Sequence, residues 1–393
     1  MDFVKQSGKG HSGWRHGLVF SLGVLISFWV LVGVLIGLRS AGQAVGWGFQ
    51  LQEPVFVFSL LVFLFIFSLS FFGVFEFGLG LTCVGGELTC RKGYSGSFFS
   101  GILATILATP CSAPLMAPAI GYALAQSAVI SFLVFSILGI GMAAPYMILA
   151  SFPALLRFVP KPGAWMETFK QLMGFPMLAV VIWLAFVLTS QLGQAIQTIL
   201  MVSMLILGFA CWVYGKWNQP ICSTGIRWTA RLVAFGLVAV VCVMGMKAID
   251  ILRPDGGSAM TETIVQSHGI DWQPFNRQQI DTLRAEGKPV FIDFTADWCL
   301  SCKFNEKVAF TREVADAFKQ SGIVTMKADW TNRNEEITRA LEEHGRTGVP
   351  LYIFYPADPA QSPEILPQVL SPSIMLKAIS RYSLHDLQTA DNP

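Results

Sequence analysis

Seven stretches of this chain are apolar for longer than a globular core element needs, and they dictate most of what it can fold into. They lie near Gly17–Leu38, Val55–Phe75, Phe98–Leu124, Ala128–Ala150, Leu172–Thr189, Ala195–Tyr214 and Leu232–Ile249. Each runs to about 20 residues, the length of α-helix that crosses a ~30 Å hydrocarbon layer. Inside hydrocarbon no water is present to pair a backbone N–H or C=O, so such stretches must be helices. The chain as a whole is 53% hydrophobic and only 13% charged, which fits a polytopic membrane protein whose soluble part is confined to one end. The first residues, Met1 to His16, are polar and basic, and the apolar run after them lacks a small-residue cleavage site. That pattern reads as a retained first span rather than a signal peptide.

Orientation follows from lysine and arginine. Eleven of them (Lys5, Lys9, Arg15, Arg91, Lys92, Arg157, Lys161, Lys170, Lys216, Arg227 and Arg231) fall on one side of a seven-span layout. The other side has Arg39, with Lys247 and Arg253 at and after the end of the last span. This places the N-terminus in the cytoplasm and the C-terminal part outside. No basic tract interleaved with aromatics occurs, which removes nucleic acid as a partner class.

The expected organisation is a membrane domain over residues 1–252, a linker over 253–268 marked by Pro, Asp, Gly-Gly and Ser, and an α/β domain over 269–393. In that last part the patterning predicts a helix at Asn276–Glu286 and a strand at Val290–Thr295. A helical region follows at Cys299–Gln320, then a strand at Ile323–Asp329, a helix at Asn334–His344 and a strand at Leu351–Tyr355. A weak strand near Glu364–Val369 and a helix at Pro372–Tyr382 complete it. Alternating β and α around a short buried strand implies a thioredoxin-like sheet.

Between the first strong strand and the helix after it stands Trp298-Cys299-Leu300-Ser301-Cys302-Lys303. A C-x-x-C there suits thiol–disulfide exchange. The helix N-terminus stabilises a thiolate on Cys299, and Cys302, one turn on, is close enough to resolve a mixed disulfide. The competing readings are a structural disulfide or half a zinc site. Zinc usually takes a second Cys/His pair, and His268, His344 and His385 are not paired. No metal is expected.

A second constellation lies in the third apolar stretch, Thr109-Pro110-Cys111-Ser112-Ala113-Pro114-Leu115-Met116-Ala117-Pro118. Three prolines at four-residue spacing break a membrane helix, and the freed carbonyls must be buried in protein or line a cavity. Cys111 at that break is either an inert packing thiol or a redox thiol that a partner chain can reach. The external dithiol on the same chain favours the second. Cys83 and Cys90 flank a cytoplasmic loop where thiols stay reduced, Cys211 and Cys242 read as packing residues, and Cys222 as a bystander.

With both constellations in view, the chain resembles the DsbD-type thiol:disulfide interchange proteins, the transmembrane disulfide reductases. The resemblance rests on Thr109 to Pro114 in the membrane, Ala296 to Lys303 outside it, and more weakly on Lys327-Ala328-Asp329-Trp330-Thr331-Asn332. It implies a relay without organic cofactor or metal. Cytoplasmic thioredoxin gives two electrons to a membrane cysteine pair, which passes them to the external thioredoxin-like domain and on to extracytoplasmic disulfide proteins, in a bacterial inner membrane. Cytochrome c maturation is a process such a relay serves. Cys111 matches one member of the membrane pair, and Cys299 with Cys302 the dithiol. Asp293 matches a buried acid that exchanges a proton with the resolving thiol, and Glu306 a second acid, or else a solvated helix residue. Trp298 faces the substrate beside the dithiol, as does Gly348-Val349-Pro350, the loop with a cis-proline.

Against the family's eight spans and amino-terminal immunoglobulin-like domain, the seven spans lead us to expect a chain that lacks that domain and the first span. Either this is a fragment, or another chain supplies those parts, or a resident cysteine such as Cys242 substitutes as the partner of Cys111. Two rival functions stay open at this point. One is a quinone-linked thiol oxidase with a fused thioredoxin-like domain. The other is a membrane-tethered thioredoxin-like domain without relay activity.

Overall fold

The computed structural model describes residues 13–40, 51–75, 94–105, 128–151, 164–218, 223–253, 265–267, 269–346, 348–358 and 360–390. The chain divides into two compact units, one of long apolar helices and one built on a sheet.

Among the described residues six helices are long and apolar enough to cross a membrane. They are α1 (Gly13–Ser40), α2 (Pro54–Phe71), α3 (Ala128–Ser151), α4 (Ala164–Leu192), α5 (Ala195–Trp217) and α6 (Thr224–Leu252). All six coincide with expected spans and extend most of them by a turn or two. The remaining expected span, Phe98–Leu124, is helical over residues 94–105, while Cys111 and its three prolines lie outside the described residues. These helices are apolar all round, with residues such as Ile182, Leu205, Phe235 and Ile251 directed outward, the surface hydrocarbon requires. Several of the hydroxyls in this unit are satisfied internally. Ser21, Ser27 and Thr105 donate to the carbonyls of Gly17, Gly23 and Gly101, one turn back.

Where α1 crosses the helical residues 94–105, the backbones approach through glycine. A Cβ added at Gly23 would sit 2.5 Å from the carbonyl oxygen of Phe98, and one at Gly101 would strike that of Phe20. Without a hydrophobic driving force in lipid, such close packing is what holds helices together. Gly23→Leu is therefore expected to cost about 1–3 kcal/mol by forcing the pair apart. Thermal unfolding of the full chain in detergent checks this against Gly33→Leu, at a site where an added Cβ meets nothing within 4 Å.

The second unit is a six-stranded sheet of order β1-β2-β4-β3-β5-β6. Its elements in chain order are β1 (Val265–Ser267), β2 (Ile270–Pro274), α7 (Arg277–Ala285), β3 (Val290–Thr295), α8 (Leu300–Ala309), α9 (Arg312–Gln320), β4 (Val324–Asp329), α10 (Glu335–Glu343), β5 (Leu351–Tyr355), β6 (Glu364–Ile365) and α11 (Pro372–Ala390). β4 runs parallel to both β2 and β3, while β5 is antiparallel to β3 and to β6. All six residues of β3 are buried, which is why it reads as a mainly apolar run rather than an alternation.

Three features depart from the expected layout. Residues Ile270–Pro274, where no strand is expected, form β2, which pairs parallel with β4. Residues 265–267, read as linker, form an edge strand that pairs antiparallel with β2 across Gly269, whose φ of +81° favours glycine. The helical region Cys299–Gln320 is two helices. Phe310 leaves helical geometry to bury its ring 5.4 Å from that of Trp272, and Thr311 caps α9 by accepting a hydrogen bond from the Val314 N–H. Elsewhere local chemistry sets the boundaries directly. Asn276 caps α7 and Asn334 caps α10 through side-chain oxygens. The core between the sheet and helices α8, α9 and α11 centres on Phe291, whose ring lies 4.7 Å from Phe354 and 5.2 Å from Phe318.

Candidate active site

The dithiol occupies the turn between β3 and α8. Cys299 is the N-cap of α8, and its Sγ accepts a hydrogen bond from the Cys302 N–H at 3.2 Å. The two cysteines form a disulfide with their Cα atoms 5.3 Å apart. Cys299 is 5% exposed and Cys302 not at all, so an incoming sulfur can meet only Cys299. The N–H that caps the helix points at the same sulfur, ready to stabilise negative charge on it once the bond opens.

The loop after β4 supports this turn. Trp330 N–H donates to the Thr295 carbonyl at 2.8 Å, and the Thr331 hydroxyl accepts from the Asp297 N–H at 2.9 Å while donating to Asp329. Trp298 packs its ring 6.0 Å from that of Trp330. The segment Lys327–Asn332 thus braces the residues just before Cys299.

The strand pleat puts Asp293 on the same side of β3 as Phe291, which faces the core under α8. On α8 itself, Cys302 and Glu306 are four residues apart on its buried face. Asp293 is 1% exposed, and neither of its carboxylate oxygens has a hydrogen-bond partner among the described residues. Burial pushes its carboxyl up to about 7, against a downward pull from Lys327 and a further upward push from Glu306.

Glu306 behaves in the opposite way. Burial alone would raise it, but Lys327 Nζ lies 2.7 Å from one oxygen and Lys303 Nζ 3.3 Å from the other. Together the two cations hold its carboxyl below the ordinary range. Lys303 also pairs with Asp297 at 2.8 Å, which ties the charge cluster to the turn carrying the dithiol. So of two acids near one disulfide, one holds its proton near neutrality and the other is an ionised, cation-paired group. The alternative reading of Glu306 as a solvated residue fails because the side chain is buried.

Val349–Pro350 is a cis peptide bond. It directly precedes β5, whose Leu351 pairs with Phe294 near the end of β3, so sheet register brings Pro350 to the end of the sheet where Cys299 sits. Of the histidines weighed as zinc ligands, His344 is engaged with the Ala340 carbonyl and the Tyr355 hydroxyl, while the side chains of His268 and His385 lie outside the described residues. Cys211 and Cys242 are free thiols on α5 and α6. Lys327 and Lys303, which set the state of the acids, were not singled out from sequence. Their spacing looks like ordinary surface lysine, and only the tertiary pairing shows their role.

Comparison with known proteins matches both halves. Residues 5–189 match the family described as Cytochrome C biogenesis protein transmembrane domain, and residues 271–357 match a thioredoxin-like family. The chain is similar to proteins of the DsbD type. It is 27% identical over 362 residues to the thiol:disulfide interchange protein DsbD of Vibrio cholerae, covering 87% of this chain and 56% of that protein. Its identity to DsbD of Haemophilus ducreyi is 29% over 357 residues, covering 85% and 58%. To DsbD of a Pseudomonas strain it is 25% over 366 residues, covering 88% and 61%. The chain thus spans somewhat more than half the length of the curated relatives it matches. The fold is the expected one, a polytopic α-helical membrane domain followed by an α/β thioredoxin-like domain.

Proposed function

We propose that this chain moves reducing equivalents outward across a bacterial inner membrane by successive thiol–disulfide exchanges, acting as a protein-disulfide reductase. The N-terminus lies in the cytoplasm and the thioredoxin-like unit on the outer side. Cytoplasmic thioredoxin is the electron donor, and extracytoplasmic thiol–disulfide proteins are the acceptors. The observation that carries the reading is one chain joining membrane-spanning helices to a C-x-x-C whose single accessible sulfur caps a helix over a buried acid.

In the outward step the Cys299 thiolate attacks a protein disulfide, forming a mixed disulfide and releasing one partner thiolate. Cys302 then loses its proton and attacks Cys299 Sγ, freeing the partner as a dithiol and leaving Cys299–Cys302 oxidised. Two electrons pass to the partner, and the Cys302 proton goes to Asp293 as carboxylate. Glu306 stays ionised and holds Lys327 and Lys303 in place. Trp298 and Val349-Pro350 border the docking partner. A membrane pair that includes Cys111 returns the dithiol to its reduced form. Every carrier in this scheme is a cysteine pair, so it calls on no organic cofactor or metal.

The test is thiol trapping in cells. With intact protein the Cys299/Cys302 pair is expected to be mostly reduced, and in Cys111→Ala mostly oxidised. A pair whose state ignores Cys111 would reduce the chain to a tethered thioredoxin-like unit and end the relay reading.

A further inference from the structure

A small soluble α/β unit ordinarily turns its large apolar side chains inward, and the exceptions here are confined to two segments. Among its described residues the exposed large hydrophobics are Leu300, Phe304 and Val308 on α8, and Ile365 and Val369 at and after β6. The first three are spaced by four, so they form one stripe along α8, opposite the buried face that carries Cys302, Asn305 and Glu306. Phe304 is 59% exposed and Val369 68%, values that water alone does not favour.

The two segments are stitched together. Asn305 Nδ2 donates to the Gln368 carbonyl at 2.6 Å, and its Oδ1 accepts from the Leu370 N–H at 3.2 Å. Val369 therefore sits between two residues anchored to α8, beside the helix that carries the stripe. The stripe also begins at the chemistry, because Leu300 is the first residue of α8 and follows Cys299 directly.

We propose that the outer face of α8, with Leu300, Phe304 and Val308 continued by Val369, is the docking surface for the protein disulfides this dithiol reduces. The inference rests on the reductase reading above. A partner sulfur that bonds Cys299 must approach to ~2 Å, and in doing so it covers Leu300. The surface next in line is apolar for two more turns. The complementary partner is a protein whose disulfide is bordered by apolar side chains, and the stripe selects it over disulfides in polar surroundings.

The experiment uses the full chain in nanodiscs, reduced beforehand, and follows oxidation of Cys299/Cys302 in single turnovers. Three probes are compared: oxidised glutathione and two disulfide-bridged peptides of equal length, one with Leu and Phe flanking the cysteines and one with Ser and Gln. Wild type is expected to react with the apolar peptide about tenfold faster than with the polar one. Phe304→Glu is expected to erase that preference while leaving glutathione and the polar peptide within about twofold. Phe304→Leu, which keeps an apolar side chain, is expected to retain most of it. Equal rates for the two peptides in wild type, or a preference that survives Phe304→Glu, would overturn the assignment. So would quenching of Phe304→Trp by brominated lipid, which would give the face to the bilayer, or a dimer cross-linked through Val308→Cys, which would give it to a second copy. Failure of the reductase reading looks different. Wild type would then react with none of the three probes, and the docking assignment would fall with it.

Discussion

Cys299→Ser is expected to abolish exchange, with the rate falling by a factor on the order of 10³ or more, because the remaining sulfur is sealed in the core. Cys302 is wholly buried, so it cannot substitute as the attacking group. Cys302→Ser should behave differently. Cys299 keeps its exposure and attacks a protein disulfide, but nothing resolves the product, and the chain accumulates as a mixed disulfide. Non-reducing gels of the full chain, after incubation with a disulfide-bonded protein, distinguish the two. A stable adduct is expected for Cys302→Ser and none for Cys299→Ser. Adducts that form equally through Cys302 would reverse the assignment of roles.

The second large effect concerns Asp293 and pH. Its carboxyl, pushed up to about 7 by burial, is protonated in acid and ionised above neutrality. Only the ionised form can take the Cys302 proton, so the resolution rate in wild type should rise with pH and level off above about 7. Asp293→Asn is expected to slow resolution by about 10²-fold at pH 8 and to flatten that inflection. Stability changes in the opposite sense. A carboxyl whose folded value lies above its unfolded one lends stability that is fully present below the ordinary carboxylate range. That stability is lost as pH rises to about 7. By pH 8 the buried charge costs on the order of 4 kcal/mol, so Asp293→Asn should protect the β3 amides from hydrogen exchange at pH 8 and make little difference at pH 4. A variant that is slower and yet more resistant to opening is the signature expected of a proton-handling group. A purely structural acid would lose stability together with rate.

Glu306 does not share this behaviour although it lies four residues from Cys302. The salt bridges from Lys327 and Lys303 keep it ionised across the range in which Asp293 titrates. Two acids of the same chemistry thus divide between one that burial pushes up and one that directly paired cations hold down.

Much of the architecture is legible residue by residue. A membrane span announces itself because hydrophobic transfer energy adds up along the chain, and α1 to α6 needed no tertiary information. The buried strand β3 and the helix starts at Asn276 and Asn334 are equally local, and so is a C-x-x-C placed at a helix start. Local reasoning failed where a distant partner decides. It read residues 265–267 as linker because a three-residue edge strand has no periodicity of its own and forms only against β2. It also joined α8 to α9, because the break at Phe310 depends on an aromatic pocket supplied by Trp272 and Phe291.

The same division holds at the site. Sequence by itself determined that a dithiol stands at a helix N-terminus after a buried strand, and that the chain carrying it spans a membrane. Those properties are set by neighbours within a few residues or by composition over about 20. Only the tertiary structure decided which sulfur meets solvent, which of two carboxyls keeps its proton, and that the apolar stripe of α8 is left uncovered. Exposure and charge state depend on what other elements bring close, here Lys327 from β4 and the segment that Asn305 holds against the helix. No window along the chain contains those contacts.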